Sequence, residues 1–299
     1  MSKPSFMEKI RSGDILVADG ATGTNLLKRG LFRGTPSEEW IIKNPDEVIR
    51  LHRDFIQAGA DILLTNTFGG SPLRLESAEL VGRAAEVNRE AVRLARQAAE
   101  GAAVFVAGSI GPSGKLLKPY GPLEETDVYE SFAAQIKALS EAGVDLLVIE
   151  TQFDLREASI AVEAAKSVSD LPLVCSFSYD RGNRTMMGVR PAQMASEIEP
   201  LGVDMLGVNC GRSLEENLEA LKELYAATDL PLWYKPNAGL PELDPDGNTI
   251  YNLTPQEMGS RVGSAIDFGA QVIGGCCGTS PSHLAQIAKS VKAIKSNSD

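Results

Sequence analysis

"EAGVDLLVIE", residues 141–150, joins the two signals that decide the fold. Its first half reads as a helix end, because glycine adopts the left-handed conformation that closes a helix without a Cβ penalty. Its second half is a short, continuously apolar run that stops on a carboxylate, the pattern of a strand covered on both faces. The junction recurs as "QAGAD" from Gln57, "PLGVD" from Pro200 and "DFGAQ" from Asp267, each just before another such run.

Working outward, eight runs of this kind can be read: "ILVAD" (15–19), "DILLTN" (61–66), "VFVAGS" (104–109), "LLVIE" (146–150), "LVCSF" (173–177), "MLGVNC" (205–210), "LWYKPN" (232–237) and "QVIGGC" (271–276). Stretches of helical periodicity fill the gaps, among them 45–59, 129–143 and 213–228, several opening on Pro, Asp or Ser as a helix start requires. Eight strand–helix alternations in 299 residues predict a single-domain α/β protein, a (β/α)8 TIM barrel of parallel strands with outer helices, spanning 1–299 with its core at about 14–292. A doubly wound open sheet would carry G-x-G-x-x-G after its first strand, and "DGATGT" (19–24) is not that pattern. Long connections at 69–81, 111–125 and 240–254 each follow a strand, where barrels carry their functional loops.

Composition narrows the function. A net charge of −11, with basic residues scattered among acidic ones, argues against a nucleic-acid or anionic-membrane partner. No stretch approaches about 18 apolar residues and the N-terminus lacks the apolar core of a signal peptide, so a cytoplasmic protein is expected. Four cysteines are too few for a disulfide scaffold in so long a chain, and reduced thiols fit better.

Chemistry in such a barrel sits at the carboxyl ends of the strands. Those ends carry Asp19, Asn66, Ser109, Glu150, Ser176, Cys210, Asn237 and the adjacent pair Cys276 and Cys277. Three cysteines from the sixth and eighth runs thus converge on one rim, and three thiolates at one point imply a soft metal, with zinc the default. Gly274, Gly275 and Gly278 would let vicinal cysteines bend toward one ion. The alternatives are a buried pair of small apolar residues or a metal-free redox dithiol, although the C-x-x-C spacing of redox motifs is missing. Cys175 lies inside its run and reads as core, while His52 and His283 read as structural or surface residues. Asp19 and Glu150 could serve as bases or as a seat for a cationic group.

Taken together, "DGATGT", "ADILLTNTFGG", "GSIGPSGKLLKPYG", "DLLVIET", "LGVNCG", "KPNAG" and "GGCCGTSPSHL" resemble the homocysteine S-methyltransferase family, most of all the amino-terminal homocysteine-binding module of cobalamin-dependent methionine synthase. The resemblance implies a zinc ion held by Cys210, Cys276 and Cys277, with homocysteine sulfur as the exchangeable ligand and Asn237 as a displaceable fourth ligand. It also implies that Asp19 and Glu150 hold the amino-acid end of homocysteine, that the N–H groups of Gly20, Ala21 and Thr22 seat its carboxylate, and that Asn66 and Ser109 belong to the same pocket. The expected reaction moves a methyl group to homocysteine to give methionine, from a methyl-corrinoid carried by a separate protein. Betaine, S-methylmethionine or another sulfonium is the alternative donor, and a barrel that binds zinc or a thiol amino acid without turnover is a further one. After the last helical stretch comes only "SNSD", which reads as a natural end or a trimmed module.

Overall fold

A computed structural model describes residues 4–75, 79–245 and 249–296. The tail 297–299 and parts of the 69–81 and 240–254 connections lie outside the described residues. Ten strands form: β1 Leu16–Val17, β2 Ile62–Leu64, β3 Phe105–Ile110, β4 Leu146–Gln152, β5 Leu173–Phe177, β6 Met205–Cys210, β7 Leu232–Pro236, β8 Pro241–Leu243, β9 Thr249–Tyr251 and β10 Ala270–Ile273. Eight of them pair in parallel in the order β1-β10-β7-β6-β5-β4-β3-β2. The seam between β1 and β2 is closed by a parallel bridge, Ala18 to Ile62, and by two hydrogen bonds, Asp61 N–H to Val17 O at 2.7 Å and Asp19 N–H to Ile62 O at 3.0 Å. All eight expected runs are strands of this TIM barrel.

The four glycine junctions behave as the sequence requires, with φ of +103° at Gly59, +88° at Gly143, +84° at Gly202 and +77° at Gly269. At each, a β-carbon would be strained, so glycine lets a helix or helical turn stop abruptly and the chain turn back into the barrel.

Side chains alternate along each strand, which splits the core in two. Leu146 and Val148 join Leu16, Ile62, Leu64, Phe105, Ala107, Val174, Met205, Trp233 and Val272 in the barrel interior. Leu147, Ile149 and Cys175 face the helices in the outer cluster. The interior is filled at its amino end by the helix Phe6–Arg11, started by a capping box on Ser5 and Glu8 and placing Phe6 edge-on to Phe105 at 5.8 Å between centroids. The antiparallel hairpin of β8 and β9 stands in the connection after β7, which the sequence showed only as a long loop. Among the described residues no helix is long and apolar enough to cross a membrane.

Candidate active site

At the carboxyl end of the barrel the Sγ atoms of Cys210, Cys276 and Cys277 all lie within 4.8 Å of one another, with Cys276 and Cys210 3.6 Å apart. Tetrahedral ligation with zinc–sulfur bonds near 2.3 Å separates two sulfurs by about 3.8 Å, so the spacing suits such an ion. Main-chain bonds fix the cluster: Cys276 N–H donates to Pro236 O at 2.8 Å, Asn237 N–H to Cys210 O at 3.1 Å and Ala238 N–H to Cys277 O at 2.9 Å. The glycines around the pair work mostly by close approach. A Cβ on Gly274 would stand 2.7 Å from Ala18 O, whereas Gly278 has φ +83° and lies beneath the Tyr251 ring. Cys210 itself has φ +63°, an uncommon conformation for a side-chain-bearing residue that ends β6 and turns its sulfur inward.

Packing three thiols together splits their acidities. Contacts from Cys210 and Cys276 push Cys277 well below its ordinary range, while the contacts with Cys276 and Cys277, together with burial, push Cys210 well above it. For Cys276 the contact with Cys210 favours ionisation, but the contact with Cys277 and burial outweigh it and push the thiol up to about 12. Mutual contact thus favours ionisation of one thiol at the expense of its neighbours, and a dication is what would let all three ionise. Asn237 adds a second sign of fit: its Nδ2 donates to Gly211 O at 2.8 Å, while its buried Oδ1 has no partner.

The cysteines open on a cavity of about 350 Å³ whose wall includes Gly20, Ala21, Thr22, Asn66, Phe68, Ser109, Glu150, Thr151 and Lys235. Glu150 is buried and accepts the Ser109 hydroxyl at 2.5 Å. Burial pushes its carboxyl up to about 7, with the Lys235 ammonium pulling the other way. Asn66 donates to Ser37 O at 2.8 Å. Ala21 N–H donates to the Thr279 hydroxyl at 3.1 Å, so of the three expected carboxylate donors Gly20 and Thr22 remain candidates.

Asp19 stands apart from the expectation. It is fully buried, does not line the cavity, and has both oxygens engaged: Oδ1 by Lys235 Nζ and Oδ2 by Leu64 N–H, each at 2.8 Å. The reason is the seam, where Asp19 lies between β1 and β2 and satisfies a backbone donor there. Cys175 is fully buried in the outer core, which keeps its thiol protonated. His52 is also buried, on the helix Pro45–Gln57, and His283 bonds to Ser280 and Leu253 O, so neither joins the sulfur cluster.

Three contributors were not singled out from the sequence. Lys235 enters from β7, two residues after the inward Trp233, a parity that would have revealed it. Asn209 ties the strand ends together, accepting from Ser176 Oγ at 2.7 Å and Thr151 N–H at 2.9 Å and donating to Thr151 Oγ1 at 2.7 Å, with its Nδ2 4.0 Å from Cys276 Sγ. That pairing holds Thr151 at φ +61°. Tyr251 stands beside Cys277 from the hairpin and favours its ionisation, and only the fold brings it there.

The closed barrel thus carries a cavity and a thiol cluster together at its carboxyl end. The chain belongs to the homocysteine S-methyltransferase family, whose sequence profile matches residues 16–291. It is 30% identical over 303 residues to methionine synthase of Mycobacterium tuberculosis, covering 96% of this chain and 25% of that protein. It is 30% identical over 294 residues to methionine synthase of Mycobacterium leprae, covering 93% and 24%. The chain therefore spans about a quarter of the length of these relatives. The metallated form of the homocysteine methyltransferase MmuM from Escherichia coli superposes with a TM-score of 0.81 at 25% identity, covering 94% of this chain and 98% of that one.

Proposed function

We propose that this barrel methylates homocysteine to give methionine with the help of a zinc ion held by Cys210, Cys276 and Cys277. The observation that carries the reading is the convergence of three cysteine sulfurs on one wall of a cavity sized for an amino acid. Zinc held there would supply full ionisation of the incoming thiol at neutral pH, which an ordinary thiol of pKa about 8.5 reaches to only about 3%, a gain of about 2 kcal/mol. The chain's own residues do the rest. Asn237, with its unpartnered Oδ1, would offer such an ion an oxygen in the absence of substrate. Glu150, oriented by Ser109, receives the substrate ammonium. With the thiol proton already gone, direct displacement on an activated methyl group needs no general base.

For the donor, the reading is a methyl-corrinoid presented by a separate protein in the cytoplasm. Similarity to methionine synthases supports it, as do exposed apolar side chains on the connections after β1, β3, β5 and β7: Phe32, Tyr120, Met186 and Leu243. A small sulfonium or betaine donor is the second reading, supported by the match over 98% of the length of MmuM, itself named a homocysteine methyltransferase. The decisive experiment measures zinc per chain and the X-ray absorption spectrum before and after homocysteine, then turnover with methylcobalamin and with small donors separately. One zinc that gains a sulfur ligand supports thiol activation. A sphere indifferent to homocysteine defeats it, and methionine formed from a small donor alone defeats the corrinoid requirement.

A further inference from the structure

We propose that Lys235 seats the carboxylate of the thiol substrate, with Asp19 as the positioning residue behind it. This rests on the homocysteine reading and changes how the amino-acid end is held. The Asp19 carboxylate is already bonded by Lys235 on Oδ1 and by Leu64 N–H on Oδ2, so an incoming ammonium would have to share those oxygens. Lys235 neutralises Asp19 and brings N–H donors to that end of the site.

Three observations support the assignment. Among the described residues lining the cavity, Lys235 is the single basic side chain. It is also 97% buried and ion-paired to Asp19 at 2.8 Å, and an ammonium has three N–H groups, so donors remain for a ligand oxygen. The acidic residue lining the same cavity is Glu150, which takes the Ser109 hydroxyl on Oε1. A cation on β7 and an anion on β4, in one cavity with a sulfur cluster, match the three groups of a zwitterionic α-amino thiol: carboxylate on Lys235, ammonium on Glu150, sulfur at the cysteines. Because a charge-assisted hydrogen bond in a buried site is strong and directional, Lys235 makes the carboxylate a requirement for recognition.

The test is calorimetric titration of the zinc-loaded protein with homocysteine, with 3-aminopropane-1-thiol, which lacks the carboxylate, and with 4-sulfanylbutanoate, which lacks the amine. In the wild type, loss of the carboxylate is expected to weaken binding on the order of 10- to 100-fold. Lys235→Met alone would strand a buried Asp19 charge, so the variant used is the double change Asp19→Asn with Lys235→Met, its zinc content and circular dichroism checked first. There, the preference for homocysteine over 3-aminopropane-1-thiol should shrink by about 10-fold or more, while the penalty for losing the amine persists. The ratio of analogue affinities is a readout that a merely structural pair would not move. If the double variant still discriminates by carboxylate as the wild type does, the Lys235 assignment falls and thiol activation stands. If wild-type protein binds none of the three thiols, the homocysteine reading falls and the assignment with it.

Discussion

Tyr251 lies so close over Gly278 that a β-carbon on the glycine would stand 2.2 Å from the tyrosine Cγ. The hairpin thus rests on the backbone just after the cysteine pair, and the same tyrosine favours ionisation of Cys277. Gly278→Ala must both strain a residue at φ +83° and lift the ring. Zinc affinity, measured by competition with a chromophoric chelator, should fall at least about 10-fold, the equivalent of about 1.4 kcal/mol. Tyr251→Phe, which keeps the ring and removes only the hydroxyl, should fall less. Equal affinity in Gly278→Ala and wild type would mean that the hairpin does not brace the cluster.

Cys210→Ser removes one of three sulfurs and should abolish tight zinc binding while leaving the barrel folded, because the core is built from apolar packing on both sides of the strands. Asn237→Ala should retain zinc and release it only somewhat faster. Similar metal release in the two variants would make Asn237 a permanent ligand.

Glu150 sets a pH dependence. Its folded pKa of about 7 lies above its ordinary 4.5, so its stability contribution is complete below pH 4.5 and is lost as pH rises through about 7. The difference is worth about 3 kcal/mol. Urea unfolding of metal-free protein should therefore show Glu150→Gln gaining on wild type as pH rises from 5 to 8, by up to about 3 kcal/mol. The same variant should bind homocysteine more weakly, since the ammonium loses its anion. A stability gap that stays flat with pH would show that Glu150 ionises freely in the folded protein.

Phe6→Ala tests the amino end independently. Phe6 is 2% exposed and packs in the barrel interior, so its loss should cost about 3–5 kcal/mol by denaturant unfolding with zinc affinity unchanged. A loss of zinc affinity in step with stability would couple the two ends of the barrel.

Much of the fold was legible because burial on both faces writes the barrel strands as unbroken apolar runs, and because left-handed helix ends demand glycine at positions such as Gly143 and Gly202. The cysteine cluster was legible for the same reason, since strand ends share one rim. What escaped was whatever depends on which way a side chain points after the strand stops. Lys235 and Asn209 follow strand parity but sit before the last residue of their runs. Nothing local shows that the Asp19 carboxylate also accepts from Leu64 N–H and Lys235, 45 and 216 residues away. Tyr251 arrives on a hairpin whose register no alternation in the sequence announces.

The way the barrel closes bears on how its ligand range can drift. Between β1 and β2 the seam has one bridge, and the Asp19 main chain and side chain each add a bond to it, through Ile62 O and Leu64 N–H. A residue that works as a clasp is not free to follow changes in ligand, for any replacement that cannot accept from Leu64 N–H gives up a bond across the seam. Position 235 holds no strand in register, since β7 is paired by its main chain to β6 and β10, but its ammonium is the counter-ion of Asp19. The clasp and its counter-ion would therefore have to change together, while the other strand ends around the mouth can vary one at a time.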